Sequence, residues 1–245
     1  MKRLFLLCCC LAAAVPFSAR GESLERALRA VTDSVRATVG VAVVFGDGDT
    51  LAVNGGRCYP MLSVCKFHQA LAVLDRLDRR GLPLTTRIPV RRSDLLSDTW
   101  SPLREACPGG GRFTVAELLT YSVAQSDNNV CDVLFRFLGG TEAVDRYIAG
   151  LGIGETVIVA DEEMMHRHTD NQYLNRTTPL AAVRLLELFR RGELLSAAYG
   201  DFLLETMFAT ETGPDKLRGL LPADVAVAHK TGSSDRDGRG VKIAD

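Results

Sequence analysis

Ser63 and Lys66 stand three positions apart in the run Met61-Leu62-Ser63-Val64-Cys65-Lys66. On a helix that spacing puts both side chains on one face. A serine hydroxyl is a weak nucleophile at neutral pH and needs a base within hydrogen-bond reach. Lys66 is placed to be that base. Burial and a second cation, Lys230, are expected to push its pKa down so that a neutral amine accepts the proton. A helix N-terminus also points backbone N–H groups at the serine, where they would stabilise a developing oxyanion. Two further runs follow in order, Ser126-Asp127-Asn128 and Lys230-Thr231-Gly232. Ser126 can hand a proton to a leaving nitrogen, and Asn128 can hold both Lys66 and a substrate amide. Lys230 and Thr231 suit a substrate carboxylate, and Gly232 lets a ligand lie close to the backbone.

Each piece alone is unspecific. Ser63 and Lys66 also read as an N-capping serine and a solvated lysine. Ser-Asp-Asn is ordinary turn chemistry, and Lys-Thr-Gly reads as a strand ending in a turn. Only the ordered set carries weight.

The elements that must position these groups follow from periodicity. Residues 22–37 read as an amphipathic helix, with Leu24, Ala27, Leu28, Val31 and Val35 at helical spacing. A β-branched run over 39–45, the turn Gly46-Asp47-Gly48-Asp49 and a short strand over 50–53 make a hairpin. Helices are expected over 63–77, 115–121, 129–138, 141–149, 179–190 and 196–207. Strand character returns over 225–228 and leads into Lys230. Strands at both ends of the chain with helices between them imply an α+β fold. Its antiparallel sheet is built from N- and C-terminal segments, and an all-α lobe is inserted. The expected division is 22–55 with 217–245 as the α/β lobe and 56–216 as the helical lobe. Between the lobes lies a cleft, with Ser63 at a helix start, Ser126 on a loop and Lys230 on a strand.

The chain has 245 residues and a formal net charge of −1, which argues against nucleic-acid binding and a polybasic membrane anchor. Met1-Lys2-Arg3 followed by apolar residues to Val15 resembles a signal peptide, expected to end near residue 21. Its apolar run is shorter than the about 20 residues of a spanning helix, so export without a lasting membrane span is expected. Of the seven cysteines, Cys58, Cys65, Cys107 and Cys131 lie beyond that leader. They match no zinc pattern, and no pairing is assigned to them. His166 and His168 have ligand-like spacing but fall on a polar loop, and no metal or other cofactor is expected.

The residues now quoted, together with Tyr59-Pro60-Met61-Leu62-Ser63, Thr99-Trp100-Ser101-Pro102, Glu162-Glu163-Met164-Met165-His166 and Tyr173-Leu174-Asn175, resemble the class A serine β-lactamases. The likeness is to the branch holding extended-spectrum enzymes and cephalosporinases of anaerobic gut bacteria. That resemblance implies a periplasmic, monomeric enzyme that opens β-lactam rings through an acyl-enzyme on Ser63 and confers antibiotic resistance. It also implies a glutamate on an Ω-loop that activates the deacylating water, Glu162, with Asp161 and Glu163 as alternatives. His166 then stands where most of the family has an asparagine beside that water. Trp100 matches an aromatic wall at the substrate, although a core tryptophan is equally open. Lys216 falls near a cation for the substrate carboxylate. Ser233 would give its backbone N–H to the oxyanion hole beside that of Ser63.

Related enzymes continue past the position of Asp245 through two strands and a terminal helix. The expectation from the resemblance is that the polypeptide as written lacks mid-sheet partners and is an unstable, inactive fragment. Rival readings are a DD-peptidase or penicillin-binding protein without fast deacylation, and a sensor that is acylated once.

Overall fold

The computed structural model describes residues 17–236 and 239–243, and most of the leader expected over 1–21 lies outside them. Helix α1 (Phe17–Ser34) starts earlier and ends sooner than expected. Ser34 turns its hydroxyl back onto Val31 O at 2.8 Å, and β-branched Val35 follows, so a further turn is disfavoured. The hairpin forms as β1 (Val41–Val44) and β2 (Thr50–Val53), with Val41 opposite Val53 and Val44 opposite Thr50. Helix α1 packs against β2.

After the short strand β3 (Tyr59–Pro60) comes α2 (Cys65–Arg80). Every residue from Cys65 to Leu74 is buried, so this helix has no solvent face over its first turns and the others pack around it. Gly81, at φ 60°, ends it by donating back to the last carbonyls. A second antiparallel pair, β4 (Arg87–Arg91) with β5 (Gly110–Thr114), was not legible: Arg-Ile-Pro-Val-Arg carries a central proline between two terminal arginines. Ile88 and Val90 supply its buried face. Opposite Arg91, Gly110 has φ 75°, and a Cβ there would meet Val90 O at 2.3 Å, which excludes any other residue.

Helix α3 (Pro102–Ala106) lies between those strands. Next, α4 (Val115–Leu119) starts on a Thr114–Glu117 capping box and widens into a π turn over Thr120–Ala124. Helices α5 (Asn128–Leu138) and α6 (Thr141–Gly150) match expectation within a residue. The short α7 (Glu162–Arg167) was not expected. Strand β6 (Arg176–Thr177) pairs with β3, and α8 (Pro179–Arg190) and α9 (Ala197–Phe208) complete the helical body. Helices α5, α6 and α9 pack on α2, while α8 lies against β1. No helix among the described residues is long and apolar enough to cross a membrane.

The strand expected over 225–228 does not form among the described residues, and Lys230 sits on irregular chain rather than on a strand. The backbone explains this. His229 N donates to Met207 O at 3.2 Å, and His229 O accepts from Thr210 Oγ1 at 2.8 Å. The end of α9 takes the hydrogen bonds that a sheet neighbour would need.

His68 on α2 is fully buried, and its Nδ1–H faces Val64 O at 3.3 Å. Its Nε2 has no hydrogen-bond partner among the described residues. Burial pushes its pKa down to about 4, so the folded protein keeps the ring neutral where the unfolded chain protonates it. Stability is therefore unaffected by His68 above pH about 6.5 and falls as pH drops toward about 4, by about 3 kcal/mol in all. Urea titrations at pH 7 and pH 5 test this. His68→Leu should lose less stability between the two than the parent; an equal loss would place the acid sensitivity elsewhere.

Candidate active site

Ser63 lies in a single 3-10 turn, Leu62–Val64, immediately before α2. Leu62 is held at φ 44° and Ser126 at φ 58°, left-handed conformations that side-chain-bearing residues rarely adopt. Both strained positions adjoin or carry a candidate hydroxyl.

Lys66 Nζ is fully buried and donates to Ser63 Oγ at 2.9 Å and to Asn128 Oδ1 at 2.8 Å. It also pairs with Glu162 Oε1. The three protons of one ammonium are thus directed at a hydroxyl, an amide oxygen and a carboxylate. Burial alone would lower this lysine, but the Glu162 charge, with smaller contributions from Cys131, Cys65 and the Glu162 hydrogen bond, outweighs it and its pKa is raised. The expectation of a depressed, neutral Lys66 is overturned: a carboxylate 96 positions away in sequence keeps it charged. The depression falls on Lys230 instead. Burial, and then the Lys66 charge, bring that amine down to about 7. Lys230 Nζ donates to Ser126 Oγ at 3.0 Å and to Thr231 O at 2.8 Å.

The three neighbouring carboxylates separate by role. Asp161 caps α7 by accepting from Met164 N at 2.8 Å, and Glu163 turns outward to Arg167 at 2.6 Å. Glu162 turns inward, its side chain only 11% exposed. Its placement depends on Asp132, which accepts from Glu162 N at 2.7 Å and from Glu163 N at 2.9 Å. Burial, with Asp161 and Glu162 close by, pushes Asp132 up to about 7 despite those donors. Asp132 was not singled out from the sequence. The available signal was its position one turn after Asn128, on the same face of α5.

The loop that carries α7 is closed at its neck. Val157 bridges Arg176, and Asn175 accepts from Val159 N and Ala160 N, both at 2.9 Å, while donating to Ala160 O at 2.7 Å. Met61 N donates to Asn175 O at 2.9 Å, which ties this neck to the residues before Ser63. His166 faces Asp98 at 3.2 Å.

Asp127 was also overlooked, although it lies inside a quoted motif. Its buried carboxylate accepts from Ser101 Oγ at 2.9 Å, Leu103 N at 2.8 Å and Val130 N at 2.9 Å. One side chain therefore fixes the starts of both α3 and α5. Burial raises its pKa, opposed by those donors. Asp127→Ala would leave buried donors unpaired, and a loss of about 3 kcal/mol or more is expected in urea unfolding. A loss below about 1 kcal/mol would contradict this role.

Trp100 is exposed and donates from Nε1 to Gln125 O at 2.9 Å, so the core alternative is excluded. Its carbonyl accepts from Asn128 N at 3.0 Å, which sets the ring beside the Ser126–Asn128 loop. Thr231 and Gly232 are buried and Ser233 is exposed. Lys216 bonds to Gly232 O and, at 2.8 Å, to Ser233 Oγ, which places it beside the segment that follows Lys230. A cavity of about 1000 Å³ is bordered by Met61 and Val64 on either side of Ser63, but none of the catalytic candidates lines it.

Comparison with known proteins places this arrangement. A model of the β-lactamase enzyme family matches residues 23–242. A β-lactamase of Bacteroides uniformis is 43% identical over 224 residues, covering 91% of this chain and 76% of the relative. The crystal structure of TLA-1 extended-spectrum β-lactamase superposes with a TM-score of 0.88 at 46% identity, over 91% of this chain and 81% of that one. A representative class A β-lactamase from Bacteroides cellulosilyticus gives a TM-score of 0.87 at 43% identity, over 91% and 80%. The match runs through the segments that bring Lys66 against Ser63, Asn128 and Glu162, and the chain belongs to the β-lactamase enzyme family, among its class A serine members.

Proposed function

We propose that the protein hydrolyses the β-lactam ring through an acyl-enzyme on Ser63 and so confers resistance to such antibiotics. The observation that carries this reading is the convergence of Ser63 Oγ, Asn128 Oδ1 and Glu162 Oε1 on one buried amine, Lys66 Nζ.

The proton inventory constrains the order of events. In the resting site Lys66 is charged and Glu162 is its anion, so the amine must first lose a proton, and its nearest acceptor is Glu162. The neutral amine then takes the Ser63 proton as Oγ attacks the lactam carbonyl. The backbone N–H groups of Ser63 and Ser233 face the oxyanion. Ser126, bonded to Lys230, passes the proton from Lys66 to the departing ring nitrogen. Glu162 returns its proton to Lys66 and, again a carboxylate, activates the water that cleaves the ester, with His166 beside it.

Lys230, Thr231, Gly232 and Lys216 bind the substrate carboxylate. An arriving anion draws the Lys230 amine back to its charged form, because a nearby negative charge raises its pKa. Asn128 holds the substrate amide, and Trp100 walls the entrance. We also assign the chain to a monomer exported to the periplasm after loss of the leader. Its α/β lobe would comprise 22–55 with 217–245, and its helical lobe 56–216.

The test is steady turnover of nitrocefin at a concentration far above that of the protein, unaffected by EDTA. A single stoichiometric burst without further turnover would favour a penicillin-binding or sensor role.

A further inference from the structure

Directly beneath the catalytic candidates lies a pair of side chains that the proposed reaction does not use. Cys65 is the first residue of α2, next to Lys66, and Cys131 lies on α5, one turn after Asn128. Both are completely buried and both are free thiols. Both belong to the buried core where α2 packs on α5. The contact is held from two sides. Gln69, one turn after Cys65, donates from Nε2 to Cys131 O at 2.9 Å. Lys66, the residue after Cys65, donates to Asn128 Oδ1 at 2.8 Å. These two bonds clamp the start of α2 alongside the start of α5, so two buried cysteines share one fixed interface, where a bridge requires the sulfurs to close to about 2.05 Å.

We propose that Cys65 and Cys131 are a disulfide-forming pair that cross-links the start of α2 to the start of α5. The oxidant is a dialkyl disulfide, RSSR. One cysteine thiolate attacks it, releasing RS⁻ and leaving a mixed disulfide. The second thiolate then displaces the other RS⁻, so two cysteines are oxidised to one bridge and one RSSR is reduced to two RSH. Burial raises the Cys131 thiol, so the exchange belongs to the folding chain, before the core closes, rather than to the finished protein. The bridge would enclose α2, β4, α3, β5 and α4 in one covalent loop. It would tie the helix start carrying Ser63 and Lys66 to the one carrying Asn128. This inference concerns the core and does not depend on the substrate proposed above.

Cys58 is exposed and Cys107 half-buried, and they serve as internal controls. The full chain is refolded in a mixture of oxidised and reduced glutathione. It is then denatured without reductant, alkylated and digested. The expected product is a Cys65 peptide joined to a Cys131 peptide, about 2 Da lighter than the sum of the two and lost on reduction, with Cys58 and Cys107 carrying the alkyl label. Reduction should also lower the melting temperature of the oxidised parent by several degrees, and should not lower that of Cys131→Ala. Full alkylation of Cys65 and Cys131 after oxidative refolding would overturn the proposal, as would a bridge from either to Cys58 or Cys107. The parent measurement stands even where the alanine variant fails to fold.

Discussion

Glu162→Gln should acylate and then stall. The steady-state rate of nitrocefin turnover is expected to fall by roughly 10³-fold, while a rapid burst of about one product per protein molecule persists. The reason lies in the charge balance around Lys66. In the parent, burial lowers this amine, and the Glu162 charge leads the contributions that raise it again. An amide in place of the carboxylate removes the largest of the contributions that oppose burial. Lys66 then becomes the neutral base first expected from the sequence, so Ser63 stays activatable. The transfer of a proton from Lys66 to Glu162 is then unnecessary for acylation, and the step lost is activation of the deacylating water. A burst that vanishes along with turnover would mean that Glu162 is required for acylation too. Unchanged turnover would remove Glu162 from the reaction and reopen the penicillin-binding reading.

Ser63→Ala has the other large expected effect, a loss of turnover on the order of 10⁴-fold or more with no burst at all. The fold should tolerate it. Lys66 keeps Asn128 and Glu162 as partners, and the lost hydroxyl leaves no buried charge unpaired. Melting temperature should therefore stay within a few degrees of the parent. Binding of a slowly reacting β-lactam should survive, since the carboxylate-binding residues Lys230 and Thr231 are untouched. Residual covalent labelling in this variant would point to Ser126 as a second nucleophile.

Much of this site was legible because helical spacing is a local property. The three-residue step from Ser63 to Lys66 needs only a helix to become a contact, and the 2.9 Å bond follows. The same holds for α5 and α6, whose apolar periodicity and glycine stops sit within a few residues of each other. What could not be read depends on encounters between distant segments. The charge on Lys66 is set by Glu162, and no local pattern announces that pairing. Asp127 and Asp132 act through backbone N–H groups, which every residue carries and no sequence displays. The run over 225–228 has strand composition, but Val225 N turns back to Pro222 O and the next residue, His229, is bonded to the end of α9. The arginine-rich strand β4 was hidden because alternation around a proline resembles a solvated loop.

The most direct test is where the β-lactam carbon attaches. The Glu162→Gln variant is mixed with a penicillin, quenched in acid within seconds and digested for peptide mass mapping. The expected result is one added penicillin mass, confined to the peptide containing Ser63 and absent when Ser63→Ala is combined with Glu162→Gln. An adduct on any other peptide, or none at all in a protein that still binds the drug, would contradict a site organised around Ser63 and Lys66.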